Sequence, residues 1–282
     1  MHRRKLIEGL FKFLMVGSLT LVVLSLVMII AVIVYRGAPS LTWSMLTQVP
    51  KGGYYLGKEG GILNAIVGSL YLTLGATAVA FILALPISLS LQREFSGPTF
   101  ARLVRLGLDV LWGIPSIVYG AFGFVVMLYF GVRASLLGGI IALSLLILPI
   151  MTRPIEEVIS MVPKELKEVS FALGATRLET TVHAVLKQTL PGILTAVLLA
   201  FGRAIGDAAS VLFTAGYTDR LPHSLFDPVA SLPLAIFFQM GTPFPEVQNR
   251  AYAAAFVLLA SVLLVSLAAR WLAKGFSKHI VR

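Results

Sequence analysis

Two charged residues, Arg203 and Asp207, lie well inside a long apolar stretch of this chain of 282 residues. Together with Ser210 and Thr214 they stand at positions i, i+4, i+7 and i+11, so the four share one face if the stretch is a continuous helix. A charge buried in hydrocarbon costs about 2.5 to 3.5 kcal/mol even on insertion scales. The pattern therefore predicts a polar pathway along this helix.

The residue types favour contact with an oxyanion. A planar guanidinium donates two parallel hydrogen bonds to two oxygens of a phosphate group, and the Asp207 carboxylate would accept one from a protonated phosphate oxygen. A fully ionised sulfate has no such proton, so the same carboxylate would repel it. In the alternative interpretation, Arg203 and Asp207 only pair with each other across one helical turn. The spacing alone leaves both interpretations open.

The composition places these residues in a membrane. Apolar residues make up 57% of the chain and charged residues 13%, a balance that soluble proteins do not have. A net charge of +10 would suggest a nucleic acid partner for a soluble protein, but here the charges are confined to short connections between apolar runs. The lack of cysteine excludes disulfides, zinc–thiolate sites, iron–sulfur clusters and thiol catalysis.

Six apolar runs are long enough to span a bilayer, because about 20 helical residues cross about 30 Å of hydrocarbon. Their length and lack of strict alternation exclude barrel strands. The first run is too long for a cleaved signal peptide, whose apolar region has about 7 to 15 residues. The predicted spans are Leu10–Tyr35, Ile62–Leu91, Leu108–Phe130, Ser135–Met151, Thr189–Phe213 and Ala251–Ala273.

Two shorter features modify this pattern. Pro115 and Pro149 predict kinks in the third and fourth spans. The apolar stretch Leu232–Met240 is too short to cross, so we expect it at the membrane interface or packed on the bundle.

The basic residues are unevenly distributed between alternate connections. Sixteen of the 23 lysines and arginines fall on the side that holds both chain ends, six fall on the other side, and Arg203 lies within a span. Since cytoplasmic connections carry the excess of basic residues, both termini are predicted to be cytoplasmic.

The connection between the fourth and fifth spans is predicted to form a helical hairpin. Pro163 suits the start of a short helix, and Gly174 suits a left-handed turn at its end. Thr176 and Glu179 have the spacing of a capping box, which begins a second helix. Leu166, Val169 and Leu173 recur at helical spacing and form an apolar stripe. Such a helix suits a groove on another protein, although a hairpin packed on its own bundle has the same spacing.

The residues Glu168-Val-Ser-Phe-Ala-Leu-Gly174-Ala, followed by Leu190-Pro191, resemble the cytoplasmic coupling loop of permease subunits of ABC importers. That loop usually reads Glu-Ala-Ala, three residues, Gly, so Val169 and Ser170 replace both alanines. Five segments resemble the phosphate-specific transport permease of the PstA type: Gly61–Ser69, Gly113–Gly120, Ala172–Thr176, Gly192–Thr195 and Arg203–Ala215. In the last of these segments, that family usually reads Gly-Glu-Thr-Ala-Pro where this chain has Gly206-Asp-Ala-Ala-Ser210.

The resemblance implies an all-α membrane protein with six transmembrane helices, the type I ABC importer permease fold and a cytoplasmic coupling helix. An N-terminal span and external loop, residues 1–61, would precede the permease domain, residues 62–282. The implied partners are a second permease subunit (PstC type), an ATPase dimer (PstB type), an external phosphate-binding protein (PstS type) and membrane lipid, without nucleic acid. Contact with the ATPase would involve Leu166, Glu168, Val169, Leu173 and Gly174.

No cofactor, metal site or catalytic residue is expected in this chain, because ATP and Mg would be held by the partner ATPase. Gly52, Gly57 and Lys58 give only a partial phosphate-loop spacing, since Glu59 stands where Ser or Thr should hold magnesium. We therefore predict that the chain is not an enzyme by itself.

The predicted function is that of a permease subunit of an ATP-driven phosphate importer in a bacterial or archaeal plasma membrane. A secondary phosphate or anion transporter would explain Arg203 and Asp207 but would give the hairpin no role. An ABC permease for another oxyanion remains an alternative. An intramembrane hydrolase fits poorly, because no histidine and no pair of acids lies within a span.

The orientation can be tested by thiol labelling, because the chain has no cysteine of its own. A Ser170→Cys variant should react only after the inner membrane face is exposed, and a Thr242→Cys variant should react from outside intact cells. The opposite labelling pattern would overturn the predicted orientation.

Overall fold

A computed structural model describes residues 2–51, 60–92 and 94–276. The partial phosphate-loop spacing, and four of the basic residues counted for orientation (Lys58, Arg93, Lys278 and Arg282), lie outside this part of the chain. The helices are α1 (His2–Gly37), α2 (Trp43–Thr47), α3 (Leu63–Ser90), α4 (Pro98–Gly113), α5 (Ser116–Tyr129), α6 (Leu136–Ser160), α7 (Lys164–Ala172), α8 (Arg177–Thr180), α9 (Leu186–Ile205), α10 (Leu232–Met240) and α11 (Pro245–Phe276).

The predicted all-α membrane fold is confirmed. In the part of the chain that is described, five helices are long and apolar enough to cross a membrane, and α4 with α5 makes a sixth span if the pair is counted as one. The fifth of these runs without interruption from Arg177 to Ile205, because a π-helical turn at Thr181–Val185 joins α8 to α9. The second hairpin helix thus continues into the fifth span, as predicted.

The third span differs from its prediction. Leu108–Phe130 was expected to be one kinked helix, but the axes of α4 and α5 differ by 99°. Ile114 and Pro115 both have extended backbone between the two helices. Proline disfavours the helical conformation for the residue before it, which favours the end of α4 at Ile114. In contrast, α6 continues through Pro149 and reaches Ser160, nine residues beyond the predicted end of the fourth span.

The fifth span is shorter than predicted at its C-terminal end. The prediction extended it to Phe213, whereas α9 ends at Ile205 and residues 206–215 form turns. The segment is still mostly buried, and it lies against α5. A side chain added at Gly120 would approach the carbonyl oxygens of Ala209 and Ser210 within 2.7 and 2.8 Å.

The core is built on α6, with α3 and α9 packed on it. Large side chains of α6 are fully buried at four-residue spacing, and both neighbouring helices contribute alanines at the same spacing. Small residues let the helix backbones approach closely, which favours association within a membrane. The residues concerned are Ile147, Met151 and Ile155 of α6, Ala76, Ala80 and Ala84 of α3, and Ala196, Ala200 and Ala204 of α9.

The remaining helices pack around this core. The stretch Leu232–Met240 forms α10, whose Leu232 and Leu234 are buried, so it packs on the bundle as one of the two predicted arrangements. By contrast, α1 is exposed along its apolar length and contacts α11, where Gly37 lies against the backbone of Tyr252.

The packing of α3 against the segment before α10 leaves no room for a side chain at Gly68. A Cβ there would lie 1.9 Å from the carbonyl oxygen of Ala230. We expect Gly68→Ala to lower the stability of the purified protein by about 1 to 3 kcal/mol, the usual effect of overpacking. Gly107→Ala is the matched control, because no atom lies within 4 Å of its added Cβ. Thermal unfolding in detergent should separate the two variants, and equal melting temperatures would contradict the close approach.

Candidate functional site

The hairpin formed by α7 and α8 has the predicted backbone geometry. Gly174 has φ +87°, the left-handed conformation that glycine adopts without steric cost. Its N–H donates to the carbonyl of Phe171, and the N–H of Ala175 donates to the carbonyl of Ser170. These two bonds make a Schellman motif, which satisfies the last carbonyls of α7 and reverses the chain.

The second helix begins with the predicted capping box. The Thr176 hydroxyl accepts the N–H of Glu179, and the Glu179 carboxylate accepts the N–H of Thr176. The Ser170 and Thr180 hydroxyls lie 2.8 Å apart and form a hydrogen bond between the two helices. The hairpin is therefore held by its own backbone and side-chain bonds.

The apolar stripe on α7 is divided between two surroundings. Leu166 is half-buried and packs against the core of the bundle, whereas Val169 is 62% exposed and Leu173 is 83% exposed. Glu168 is also exposed. Leu178 on α8, which the sequence analysis did not single out, is 68% exposed. The outward apolar surface of the hairpin therefore includes Val169, Leu173 and Leu178, and docking on an ATPase stays a prediction.

Glu94, in the connection between α3 and α4, was not predicted to take part in this site. Its carboxylate lies 2.8 Å from the Lys167 ammonium of α7, and its carbonyl oxygen accepts a bond of 2.7 Å from the Arg177 guanidinium. Partial burial alone would raise the pKa of Glu94, but the bond from Lys167, a backbone bond and the charges of Lys167 and Arg177 outweigh it and lower that pKa. The carboxylate is thus held in its charged form.

A second group of charges links α4 to α6 at the same end of the bundle. The Arg105 Nε lies 2.7 Å from the Glu156 carboxylate, and Arg153 contacts both Glu156 and Asp109. The arginines neutralise these acids. Within the described residues, no three histidine or acidic side chains are grouped so that they could hold a metal ion.

Arg203 and Asp207 form the ion pair that the structural interpretation predicted. The Arg203 Nη1 lies 2.8 Å from Asp207 Oδ1, and their side chains are 42% and 3% exposed, respectively. The other oxygen, Oδ2, accepts from the backbone N–H of Ser210 at 2.9 Å and from its hydroxyl at 2.6 Å. Asp207 is therefore buried, and both of its oxygens already accept hydrogen bonds from the protein.

The prediction of a single helical stripe through these residues is wrong. Since α9 ends at Ile205, Asp207, Ser210 and Thr214 lie in the turns that follow the helix. Ser210 and Thr214 are fully buried, and the Thr214 hydroxyl donates to the carbonyl of Ser210. Only Arg203 of the four is exposed. A role in a substrate pathway stays a prediction for all of them.

Comparison with known sequences decides the family. The family described as binding-protein-dependent transport system inner membrane component matches residues 76–279. The chain belongs to this family. A relative named phosphate transport system permease protein PstA 2, from Mycobacterium bovis, is 31% identical over 279 residues, covering 97% of this chain and 91% of the relative. The PstA protein of Yersinia pestis is 33% identical over 237 residues, covering 84% of this chain and 80% of its own length.

Solved structures of other transport permeases share the fold. Inward-facing structures of the MetNI methionine ABC transporter match with TM-scores of 0.61 and 0.63, at 19% identity, over 76% of this chain and 95% of that chain. An amino acid ABC transporter matches with a TM-score of 0.55 over 78% of this chain and 94% of its own. The predicted type I ABC importer permease fold is thus confirmed for this member of the inner membrane component family.

The turn at Gly174 can be tested in the purified permease. No neighbouring atom lies within 4 Å of an added Cβ, so the left-handed φ is the main obstacle to a side chain. We expect Gly174→Val to destabilise the hairpin by roughly 1 to 2 kcal/mol. Hydrogen exchange should then become faster across residues 164–180. Gly174→Asn should lose less protection, because asparagine tolerates this conformation, and equal exchange in all three proteins would contradict the role of the turn.

Proposed function

We propose that the chain is the permease subunit of an ATP-driven phosphate importer and forms half of its translocation pathway. Relatives named PstA that align over most of the chain support phosphate as the transported anion. The single observation that carries the coupling role is the exposed apolar surface of the hairpin, whose Leu173 is 83% exposed. A surface of this kind on a rigid turn favours contact with another protein.

The proposed occupant of that surface is an ATPase dimer of the PstB type. It binds ATP and Mg and hydrolyses the nucleotide, while this chain supplies no catalytic residue. Closing of the ATPase pair moves the coupling helix α7, and α7 is continuous with α6 through the short connection at residues 161–163. Leu166 also packs on the core, so a force on the hairpin reaches the spans directly.

The proposed anion contact is Arg203. It lies at the end of α9 with much of its side chain exposed, and the ion pair with Asp207 orients its guanidinium group. Asp207, Ser210 and Thr214 belong to this part of the proposed pathway as the residues that hold the turn. This assignment changes the role of Asp207 from direct acceptor to positioning residue, because its side chain is only 3% exposed and is held by Arg203 and Ser210.

The other proposed partners follow from the family. A second permease of the PstC type completes the pathway, and a phosphate-binding protein of the PstS type delivers the anion from outside. With both termini cytoplasmic, the hairpin faces the ATPase and α10 lies towards the binding protein. A secondary transporter does not account for the exposed hairpin. An importer of another oxyanion would account for it, and the uptake experiment below distinguishes that alternative from a phosphate importer.

Variants of Arg203 test whether it meets the anion or only pairs with Asp207. In the double variant Arg203→Met with Asp207→Asn both charges are removed, but the asparagine oxygen can still accept from Ser210. We expect uptake of labelled phosphate, per assembled complex, to fall about 10- to 100-fold, the size of a lost bond to a charged group. Arg203→Lys should fall less, because it keeps the charge but loses the two-pronged geometry.

The control is Arg133→Met, an exposed arginine of the loop between α5 and α6, which should leave uptake unchanged. Normal phosphate uptake by the double variant would show that the ion pair is only structural. Transport of sulfate rather than phosphate by the unchanged complex would instead favour the other-oxyanion alternative.

A further inference from the structure

The connection between α3 and α4 touches the coupling hairpin at two points. The Glu94 side chain binds Lys167 of α7, and the Glu94 carbonyl binds Arg177 of α8. One residue of this connection therefore holds both helices of the hairpin. A relative shift of the hairpin and the connection would break an ion pair and a charge-assisted hydrogen bond at the same time.

The contact is shielded from solvent. The Lys167 side chain is 13% exposed and that of Glu94 is 28% exposed, in contrast to the exposed Glu168 beside it. Phe171 and Thr180 from the hairpin, and Gln92 and Phe95 from the connection, line the small cavity around the pair. Since screening by water and salt is weaker here than at an open surface, the pair differs from ordinary exposed ion pairs, which contribute little.

The same connection is anchored to the bundle on its other side. Arg105 of α4 donates from Nη2 to the carbonyl of Leu91, which caps α3, and from Nε to Glu156 of α6. Arg153 of α6 donates to the carbonyl of Arg105. Through Leu91 and Glu94, the connection therefore contacts both the hairpin and the ion-paired Arg105 of α4.

The order of the helices in the chain indicates what this contact does. The hairpin is connected directly to α6 before it and to α9 after it, whereas α3 and α4 are not adjacent to it in the chain. We propose that Glu94 is a positioning residue that ties the coupling hairpin to α3 and α4, so that all four helices move together when the ATPase closes. This inference rests on the proposed function, because it needs an ATPase that drives the hairpin.

The test uses the complete transporter in proteoliposomes and measures phosphate imported per ATP hydrolysed. Glu94→Ala and Glu94→Lys should lower this ratio between about twofold and thirtyfold, the range of coupling energies for residues within such networks. The charge swap Glu94→Lys with Lys167→Glu should recover a large part of the loss, because the ion pair is restored with opposite polarity. Glu157→Ala is the control: this acid of α6 is exposed, and its loss should leave the ratio unchanged.

Cross-linking provides a second measurement, in which a covalent link replaces the ion pair. The chain has no cysteine, so Glu94→Cys with Lys167→Cys can be joined by a short thiol-specific linker, given companion subunits without reactive cysteines. If the hairpin and the connection move as one body, the linker should raise the ratio of the double-cysteine variant back towards that of the parent. A block of transport by the linker would show that the two separate during the cycle and would overturn the proposal.

The outcomes distinguish this inference from the proposed function. A parent complex that hydrolyses ATP without importing phosphate would contradict the function itself. A parent that is coupled, together with a Glu94→Ala variant of equal ratio, would overturn the role of Glu94 alone. If Glu94→Ala fails to assemble, the charge swap decides, because a swap no better than Glu94→Lys would also overturn it.

Discussion

Irregular backbone inside a helical membrane bundle must find its hydrogen bonds within the protein, and the turns after α9 depend on this constraint. Asp207 satisfies it by accepting from the N–H and hydroxyl of Ser210 while it pairs with Arg203. Further along, the carbonyl of Thr214 accepts the N–H of Ser135, where α6 begins. The segment thereby connects the end of one core helix to the start of another, and Gly120 of α5 leaves room for its backbone.

Local signals predicted most of the helices and the whole hairpin. Gly174, Thr176 and Glu179 each determine one turn through their own backbone or side chain, so their spacing was sufficient. The end of α9 was missed because apolar residues continue to Phe213, although Asp207 followed by Ser210 has the spacing of a helix cap and could have marked it. The Glu94–Lys167 contact joins residues 73 positions apart, and no local pattern reports such a pairing.

Two departures from the family pattern belong together in this structure. The pattern Gly-Glu-Thr-Ala-Pro has a longer acid and ends in proline, which has neither an N–H nor a hydroxyl. Here the shorter Asp207 bends back onto Ser210, which donates from both groups. The serine therefore supplies bonds that a proline at the same place could not, and the aspartate has the reach to accept them. Asp207 and Ser210 therefore stabilise this turn as a hydrogen-bonded pair.

The contact between α1 and α11 has a consequence for biosynthesis. Helix α1 is exposed along its apolar length, and α11, the helix that it contacts, begins some 200 residues later in the chain. Inserted helices are stable as separate units in lipid and associate afterwards. During translation α1 therefore lacks this partner while some 200 residues are added, and the contact between Gly37 and Tyr252 forms only once α11 has been inserted. An interruption of translation before α11 is made would leave a bundle in which α1 lacks its contact with α11.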